Sequence, residues 1–155
     1  MINVLTKIKS AAHNRTSYRV GLLQAKAYRV LKQKTMVVLT PLGISTIEWA
    51  LLGLLADRKS LRMSHVAQEL GVEAPFITAM VLQLKKKNFI VLTKDINDSR
   101  VKSMSLTTEG NTFVTETEPI VRGAMRPIIS GVSITDLLGY LSVLEQIVHN
   151  DSNSR

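Results

Sequence analysis

Residues 63–90 read MSHVAQELGVEAPFITAMVLQLKKKNFI. The spacing of the apolar side chains in this segment predicts two short helices with a tight turn between them. Ser64 is expected to cap and begin the first helix, and Gly71 is expected to end it in a left-handed conformation. Pro75 belongs in the first turn of the second helix, where its missing N–H is not needed, and that helix is expected to run to about Lys87.

The second helix has one apolar face and one mixed face. Its inward positions follow helical spacing, and they are Ile77, Met80, Val81 and Leu84. This assignment leaves an outward set that comprises Ala74, Phe76, Thr78, Ala79 and Gln83. Asn88 then stands where a left-handed residue would close the helix, a conformation that asparagine tolerates better than most residues other than glycine.

Two strand-like runs follow the second helix. They cover residues 89–94 and 102–107, and in the latter Met104 and Leu106 alternate with polar residues. Residues 95–100, DINDSR, form a polar turn-forming loop between the two strands. Two helices followed by a hairpin is the order of a winged helix-turn-helix, which places one exposed helix and one exposed loop on the same side of a small domain.

Four segments of the chain resemble the MarR family of bacterial transcriptional regulators. They are residues 63–72, 84–90, 98–100 in the loop, and 106–110 after the hairpin. The likeness extends in order over nearly the whole chain. It implies a sequence-specific regulator, with repression as the expected sign, that binds double-stranded DNA as a homodimer on a palindromic operator.

Composition excludes several other classes of protein. The chain has 155 residues, of which 45% are hydrophobic, and this is ample for one folded unit. It has no cysteine, which excludes disulfides and thiol chemistry. The start of the chain does not read as a secretory signal, and Pro41 and Glu48 interrupt the richest apolar run, so a soluble cytoplasmic protein is expected.

Positive charge is concentrated at the N-terminus. The formal net charge is +8, and no acidic residue precedes Glu48. The eight basic residues before that position are Lys7, Lys9, Arg15, Arg19, Lys26, Arg29, Lys32 and Lys34. Clustered positive charge favours a polyanionic partner or an acidic ligand. The alternative is a surface helix over residues 15–32 whose charges are simply solvated, and a membrane-surface helix is less favoured because its apolar face is modest.

Further helices flank the central segment. A helix is expected from Ser45 to Ala56, another from Thr107 or Thr108 towards Gly123, and a final one from Ser133. The apolar set of the first comprises Ile47, Ala50, Leu51, Leu54 and Leu55. The last helix carries an apolar stripe of Leu137, Leu141, Leu144 and Val148. The resemblance implies that this stripe forms a dimer interface, and the alternative is that it packs only on its own core.

The sequence therefore predicts a mainly α protein with a small β-wing. Residues 1–35 are assigned to an N-terminal dimerisation helix, 36–107 to the winged helix-turn-helix core, 108–150 to C-terminal dimerisation helices, and 151–155 to a disordered tail.

The resemblance assigns the outward face of the second helix to the major groove. The base-facing residues would be Ala74, Pro75, Phe76, Thr78, Ala79 and Gln83. The Gln83 amide can pair with adenine, while Phe76 and Ala79 can pack on thymine methyl groups. Phe76 has an alternative interpretation as a core residue. Because many family members carry a basic or polar residue in place of Ala79 and Leu82, readout of DNA shape would gain weight here.

The loop and several cations would contact the DNA backbone. By the resemblance, Arg100 enters the minor groove, held by Asp98, with Asn97 beside it; the alternative is an ion pair that only stiffens the turn. Phosphate contacts would come from Arg62, Ser64, Lys85, Lys86, Lys94 and Lys102. A run of lysines at a helix end is also explained by the helix dipole alone.

The resemblance further implies a small-molecule cleft for an aromatic or acidic effector. Its candidate residues are Arg15, Tyr18, Arg19, Trp49 and Met63, although Trp49 also suits the core. The histidines are scattered and no catalytic constellation is present, so no enzyme activity, metal or cofactor is expected. Two alternative functions remain, a protein-interaction module that docks through the apolar outward helix, and nonspecific nucleic-acid binding.

Overall fold

The computed structural model describes residues 16–94 and 102–152. It contains six helices and three strands within that part of the chain. They are α1 (Thr16–Leu39), which continues into a 3-10 turn (Thr40–Leu42), α2 (Thr46–Arg58), β1 (Leu61–Arg62), α3 (Met63–Leu70), α4 (Ala74–Lys86), β2 (Ile90–Lys94), β3 (Lys102–Leu106), α5 (Thr108–Met125) and α6 (Ile134–Ser152). The mainly α class with a small wing is confirmed.

A single apolar core joins the helix-turn-helix to the sheet. Its fully buried members include Leu39, Leu51, Leu52, Leu55, Val66, Leu84, Ile90 and Met104. The inward face predicted for α4 is confirmed, because Ile77, Met80, Val81 and Leu84 are all buried. All four belong to the core cluster, and α4 packs against α3 and β2, which fixes the rotation of the helix about its axis.

The sheet has three antiparallel strands in the order β1-β3-β2. The sequence predicted β2 and β3 to within one residue but missed β1, in which Leu61 pairs with Met104. This short strand also explains why the expectation that Ser64 caps and begins α3 was wrong. The chain passes directly from β1 into α3, so the N-cap is the extended residue Arg62, which makes no side-chain capping bond.

The turns around α3 and α4 are as predicted. Gly71 ends α3 with a φ of 63°, and its N–H bonds the carbonyl oxygens of the last turn. Pro75 lies in the first turn of α4. Asn88 follows α4 with a φ of 58°, so the left-handed conformation is confirmed there as well.

α2 is more enclosed than its predicted stripe suggested. Ser45 and Glu48 form a capping box, in which the Glu48 N–H donates to Ser45 Oγ at 3.2 Å. Ala50, predicted to face inward, is exposed, and Leu52, not assigned to the stripe, is fully buried. The reason is that α1, α3, α5 and β3 all contact α2, which leaves only a narrow solvent face.

α5 begins as predicted and ends later. Thr107 Oγ1 accepts a hydrogen bond from the Gly110 N–H at 3.0 Å, which confirms the cap. The helix passes through Gly123 to Met125, because an isolated glycine weakens a helix by only about 1 kcal/mol. Gly110 sits against the backbone after α4: a Cβ at this position would lie 2.0 Å from the Phe89 carbonyl oxygen.

Many apolar residues of the two outer helices, α1 and α6, are exposed to solvent. Exposed side chains include Val20, Leu23 and Val30 on α1 and Leu138, Leu141 and Ile147 on α6. Within the described residues, α6 packs only sparsely against the other elements. No described helix has by itself the length and hydropathy to cross a membrane; the two segments Tyr18–Leu42 and Thr46–Arg58 reach that threshold only together, and they meet at a bend of 86°.

Candidate nucleic-acid interface

The burial of α4 defines which of its residues face outward. A helix turns by about 100° per residue, so the direction opposite the four buried side chains follows from their positions. Pro75, Ala79, Leu82 and Lys86 lie within about 30° of that direction, and all four are exposed. We call Pro75, Ala79 and Leu82 the apolar stripe of α4.

The predicted base-facing residues lie on the exposed side of α4. Pro75, Phe76, Thr78, Ala79 and Gln83 are all exposed, while the side chain of Ala74 lies outside what the structure describes. Phe76 is 52% exposed, which contradicts its alternative interpretation as a core residue.

Leu82 was not in the base-facing set, although it is nearer the centre of the outward face than Phe76 or Gln83. It is 52% exposed. Rotation measured from the buried residues of α4 finds it, whereas Phe76 and Gln83 lie about 90° and 70° from the outward direction.

Exposed positive side chains lie on β1, on α4 and on the hairpin. Exposed groups include every predicted phosphate contact, namely Arg62, Ser64, Lys85, Lys86, Lys94 and Lys102. Lys94 and Lys102 are direct partners across the hairpin. Like charges in that position destabilise a sheet, so an anion near both would stabilise the base of the wing. Lys87 differs from its neighbours, because its ammonium group donates a hydrogen bond to the Gly43 carbonyl oxygen.

The tip of the wing lies outside the described residues. The predictions for Asn97, Asp98 and Arg100 concern that segment, since the structure describes the hairpin only up to Lys94 and again from Lys102. The two strands that lead to the tip are paired along their whole length, from Ile90 opposite Leu106 to Lys94 opposite Lys102.

The predicted effector residues lie in two separate places. Trp49 and Met63 are half-buried and pack against the core, where the Trp49 ring contacts Phe113 edge to face at 6.4 Å. Tyr18 and Arg19 are exposed near the start of α1, and Arg15 lies outside the described residues.

Two open cavities adjoin Phe76. The larger has a volume of about 1240 Å³ and lies between the α3–α4 turn and the end of α6. The other, of about 690 Å³, is lined by Tyr28, Lys32, Met36 and Phe76, and the Lys32 ammonium lies 5.8 Å from the centre of the Tyr28 ring. Neither cavity is lined by Tyr18, Arg19, Trp49 or Met63.

The histidines offer no clustered ligand set in the part of the chain that the structure describes. His65 and His149 are both exposed, and no group of three histidine or carboxylate side chains is spaced to hold a metal ion among the described residues. His13 precedes those residues.

Relatives by sequence are helix-turn-helix regulators. No protein-family model matches the chain. It is 28% identical over 100 residues to the HTH-type transcriptional regulator FarR of Neisseria gonorrhoeae, a match that covers 64% of this chain and 67% of the relative. It is 33% identical over 69 residues to the HTH-type transcriptional repressor MdtR of Bacillus subtilis, with 44% of each protein covered.

Solved structures share the fold over most of the chain. AbsC, a MarR family transcriptional regulator from Streptomyces coelicolor, has a TM-score of 0.78 at 17% identity, with 90% of this chain and 97% of AbsC covered. A mutant MarR from E. coli complexed with operator DNA has a TM-score of 0.72 at 17% identity, covering 83% and 93%. NadR in complex with 4-hydroxyphenylacetate has a TM-score of 0.73 at 24% identity, covering 83% and 90%.

Proposed function

We propose that this chain, which resembles the MarR family of winged helix-turn-helix regulators in sequence and shares their fold, is a transcriptional regulator that binds double-stranded DNA sequence-specifically. The observation that carries the proposal is the rotation of α4. Its buried side packs into the core, its opposite side is exposed, and the helix ends in the exposed Lys85 and Lys86.

This arrangement fits the two kinds of contact that DNA recognition requires. A helix of this size enters the major groove, where exposed side chains reach base edges. The surrounding cations meet phosphates, which position the protein and make affinity depend on salt. The mutant MarR structure holds operator DNA in the same fold. In our proposal α4 is accordingly the recognition helix, and the hairpin is the wing that contacts the adjacent backbone.

The proposed functional unit is a homodimer. Leu138 and Leu141 on α6, and Val20 and Leu23 on α1, are exposed in the single chain. Exposed apolar side chains in such number mark an interface, and a second copy of the chain supplies an equally apolar counterpart. Two-fold symmetry would place the two recognition helices about 34–36 Å apart in successive major grooves, which predicts a palindromic operator.

The proposal is tested by titrating the full chain against duplex DNA selected from a random pool, at several salt concentrations. With six phosphate contacts, affinity should fall about 10³-fold between about 50 and 200 mM salt. Lys85→Gln with Lys86→Gln should lower the slope by about one for each phosphate interaction that the substitutions remove, whereas Arg126→Gln, directly after α5, should leave it unchanged. Arg100→Ala should weaken binding through the predicted minor-groove contact. A flat salt response from the unmodified chain would refute the proposal.

A small aromatic acid is the proposed effector class. NadR binds 4-hydroxyphenylacetate in the same fold. The cavity beside Phe76 combines an aromatic ring, Tyr28, with a cation, Lys32, and a compound there would touch the recognition helix directly. Titration with 4-hydroxyphenylacetate should quench or enhance the fluorescence of Trp49 and weaken DNA binding. If aromatic acids change neither signal, the effector proposal fails while the DNA-binding proposal stands.

A protein-interaction module is the second candidate function. The exposed apolar side chains Phe76 and Leu82 favour it, because recognition helices that read bases by hydrogen bonds are more polar. The lysines beside them favour DNA. If the chain failed to shift the gel mobility of any DNA duplex at low salt, the protein-interaction module would become the favoured function.

A further inference from the structure

We infer that Leu82 reads the 5-methyl group of pyrimidines in the major groove, and that this apolar contact sets part of the sequence preference. The inference rests on the proposed function, since it names the base chemistry that α4 recognises. It is a property of the apolar stripe, and it is independent of the wing and of any effector.

Leu82 lies near the centre of the outward face of α4 and is exposed. It lies within about 30° of the outward direction, and Ala79 and Pro75 precede it by three and seven residues on the same face. Ala79 is three residues from Leu82 and four from Pro75, and side chains at those two intervals are neighbours on a helix surface, about 5–6 Å apart. The stripe is therefore continuous, and Leu82 is its largest member.

The chemistry of this stripe selects among base edges. Leucine, alanine and proline side chains neither donate nor accept hydrogen bonds, so they cannot satisfy the polar edges of guanine, adenine or cytosine. Thymine alone among the four common bases presents an apolar group, its 5-methyl, in the major groove. An apolar side chain pressed against that methyl removes both from water, whereas the same side chain against a polar edge leaves the edge desolvated and unpaired.

Charge complementarity indicates DNA as the occupant of this face. Lys86 lies on the same face one turn beyond Leu82, and Lys85 adjoins it; both are exposed. The helix thus ends in positive charge next to its apolar stripe, which suits a groove lined by methyl groups and walled by phosphates. An apolar protein partner would have to bury or neutralise these ammonium groups.

Phe76 is a weaker candidate for methyl recognition than the sequence suggested. It lies about 120° from Leu82 around the helix, and it lines both cavities beside α4. These two cavities are also lined by residues of α1 and of the end of α6. The methyl contacts expected of Phe76 and Ala79 from the sequence are reassigned here to Leu82.

The experiment compares a selected duplex containing thymine with the same duplex containing uracil. Uracil keeps every hydrogen-bonding group and lacks only the methyl. Each buried methyl contributes roughly fourfold in affinity, so one contact in each half-site of the dimer predicts a loss of about sixteenfold. A third duplex, with the contacted T·A pairs replaced by C·G, should regain affinity when its cytosines carry a 5-methyl group.

Variants assign the effect to Leu82. Leu82→Ala should bring the thymine-to-uracil ratio close to one, and Leu82→Met, which keeps the apolar contact, should preserve most of it. Val91→Ala is the matched control, because it shortens another exposed apolar side chain, on β2, and should leave the ratio unchanged. Since Leu82 is exposed, its variants are expected to fold, and thermal unfolding checks this.

The outcomes separate this inference from the proposed function. If the chain binds the selected duplex with steep salt dependence but holds thymine and uracil duplexes equally, the methyl contact is refuted and DNA binding stands. A ratio that survives Leu82→Ala would assign the effect to DNA shape or to another residue and would also overturn the inference. Absence of binding to any duplex would refute the proposed function itself.

Discussion

The proposed recognition helix α4 and the C-terminal helix α6 are both rich in apolar residues, but these residues differ in how far the single chain buries them. The inward residues of α4 are buried within one chain, and Leu84 has no exposed surface at all. On α6, by contrast, Leu141 is 47% exposed and Leu138 is more so. The helix-turn-helix and its sheet thus form a complete core, whereas the outer helices have an apolar surface that a single chain does not cover.

This difference predicts that the two helices respond differently to the same kind of substitution. Removing apolar volume from α4 should affect folding of the chain, because its contacts are intramolecular. Changing α6 should affect association, because its open face is proposed to bind a second copy.

The largest expected effect is on the core side of α4. Leu84→Ala should lower the free energy of unfolding by about 2–5 kcal/mol, since it removes buried methyl groups and leaves a cavity. Leu82→Ala is the matched control, with the same substitution two residues away on the exposed face, and it should change stability by no more than about 0.5 kcal/mol. Urea unfolding at one fixed protein concentration measures both. Equal effects would show that the rotation of α4 is wrong.

A charge on the open face of α6 should separate the two copies without unfolding them. Leu141→Asp is expected to weaken the dimer on the order of 100-fold, because it places an unpaired carboxylate in an apolar interface. Sedimentation equilibrium measures the dissociation constant, and circular dichroism reports whether the chain stays helical. Leu82→Asp, at an equally exposed leucine of α4, should remain dimeric. A dimer that tolerates Leu141→Asp would remove α6 from the interface.

Gly110 packs so closely against the Phe89 backbone that even one added methyl group should destabilise the fold. Gly110→Ala would place a Cβ 2.0 Å from the Phe89 carbonyl oxygen, and relief of that contact should cost about 1–3 kcal/mol of stability. Gly123→Ala lies on the same helix with nothing within 4 Å, so it should be neutral or stabilise by up to about 1 kcal/mol. Thermal unfolding of the two variants compares them directly. If both variants lost stability, the contact with the Phe89 carbonyl oxygen would not explain the effect of Gly110→Ala.

The parts of the fold that the sequence predicts well are those governed by local rules. Gly71 and Asn88 adopt the left-handed conformation because the chain must turn there, and the face of α4 follows from helical spacing. The hairpin follows from alternation. These features need only neighbouring residues for their explanation.

The features that the sequence missed depend on distant residues. β1 is too short to show alternation, and it exists because Leu61 meets Met104 across the sheet. The burial of Leu52 and the exposure of Ala50 depend on which elements surround α2. In the interface, the outward set was nearly right but omitted Leu82, although the four inward residues, which the sequence predicted correctly, already place Leu82 within about 30° of the outward direction. The roles assigned to these residues stay predictions until DNA binding is measured.

The smallest expected effects come from the helix caps. Loss of the α5 cap should lower the stability of the folded chain, whereas loss of the α6 cap should weaken the dimer. Thr107 caps α5 by accepting from the Gly110 N–H, and Ser133 caps α6 by accepting from the Asp136 N–H at 3.1 Å. Each substitution to alanine should cost about 1 kcal/mol. For Thr107→Ala the loss should appear in unfolding at every protein concentration, because α5 contacts α1, α2 and β3.

For Ser133→Ala the loss should appear mainly in the dissociation constant of the dimer, since α6 packs sparsely within its own chain. Because each of the two copies loses about 1 kcal/mol, the dissociation constant should rise about 30-fold. At concentrations where the monomer dominates, Ser133→Ala should have almost the same unfolding temperature as the unmodified chain. For the α5 cap, Thr107→Ser keeps the hydroxyl group and should restore most of the stability that Thr107→Ala loses. Concentration-dependent thermal unfolding of both variants measures the contrast. If the effect of Ser133→Ala were independent of concentration, α6 would belong to the same cooperative unit as the core, and the division between a complete core and an open pair of helices would have to be given up.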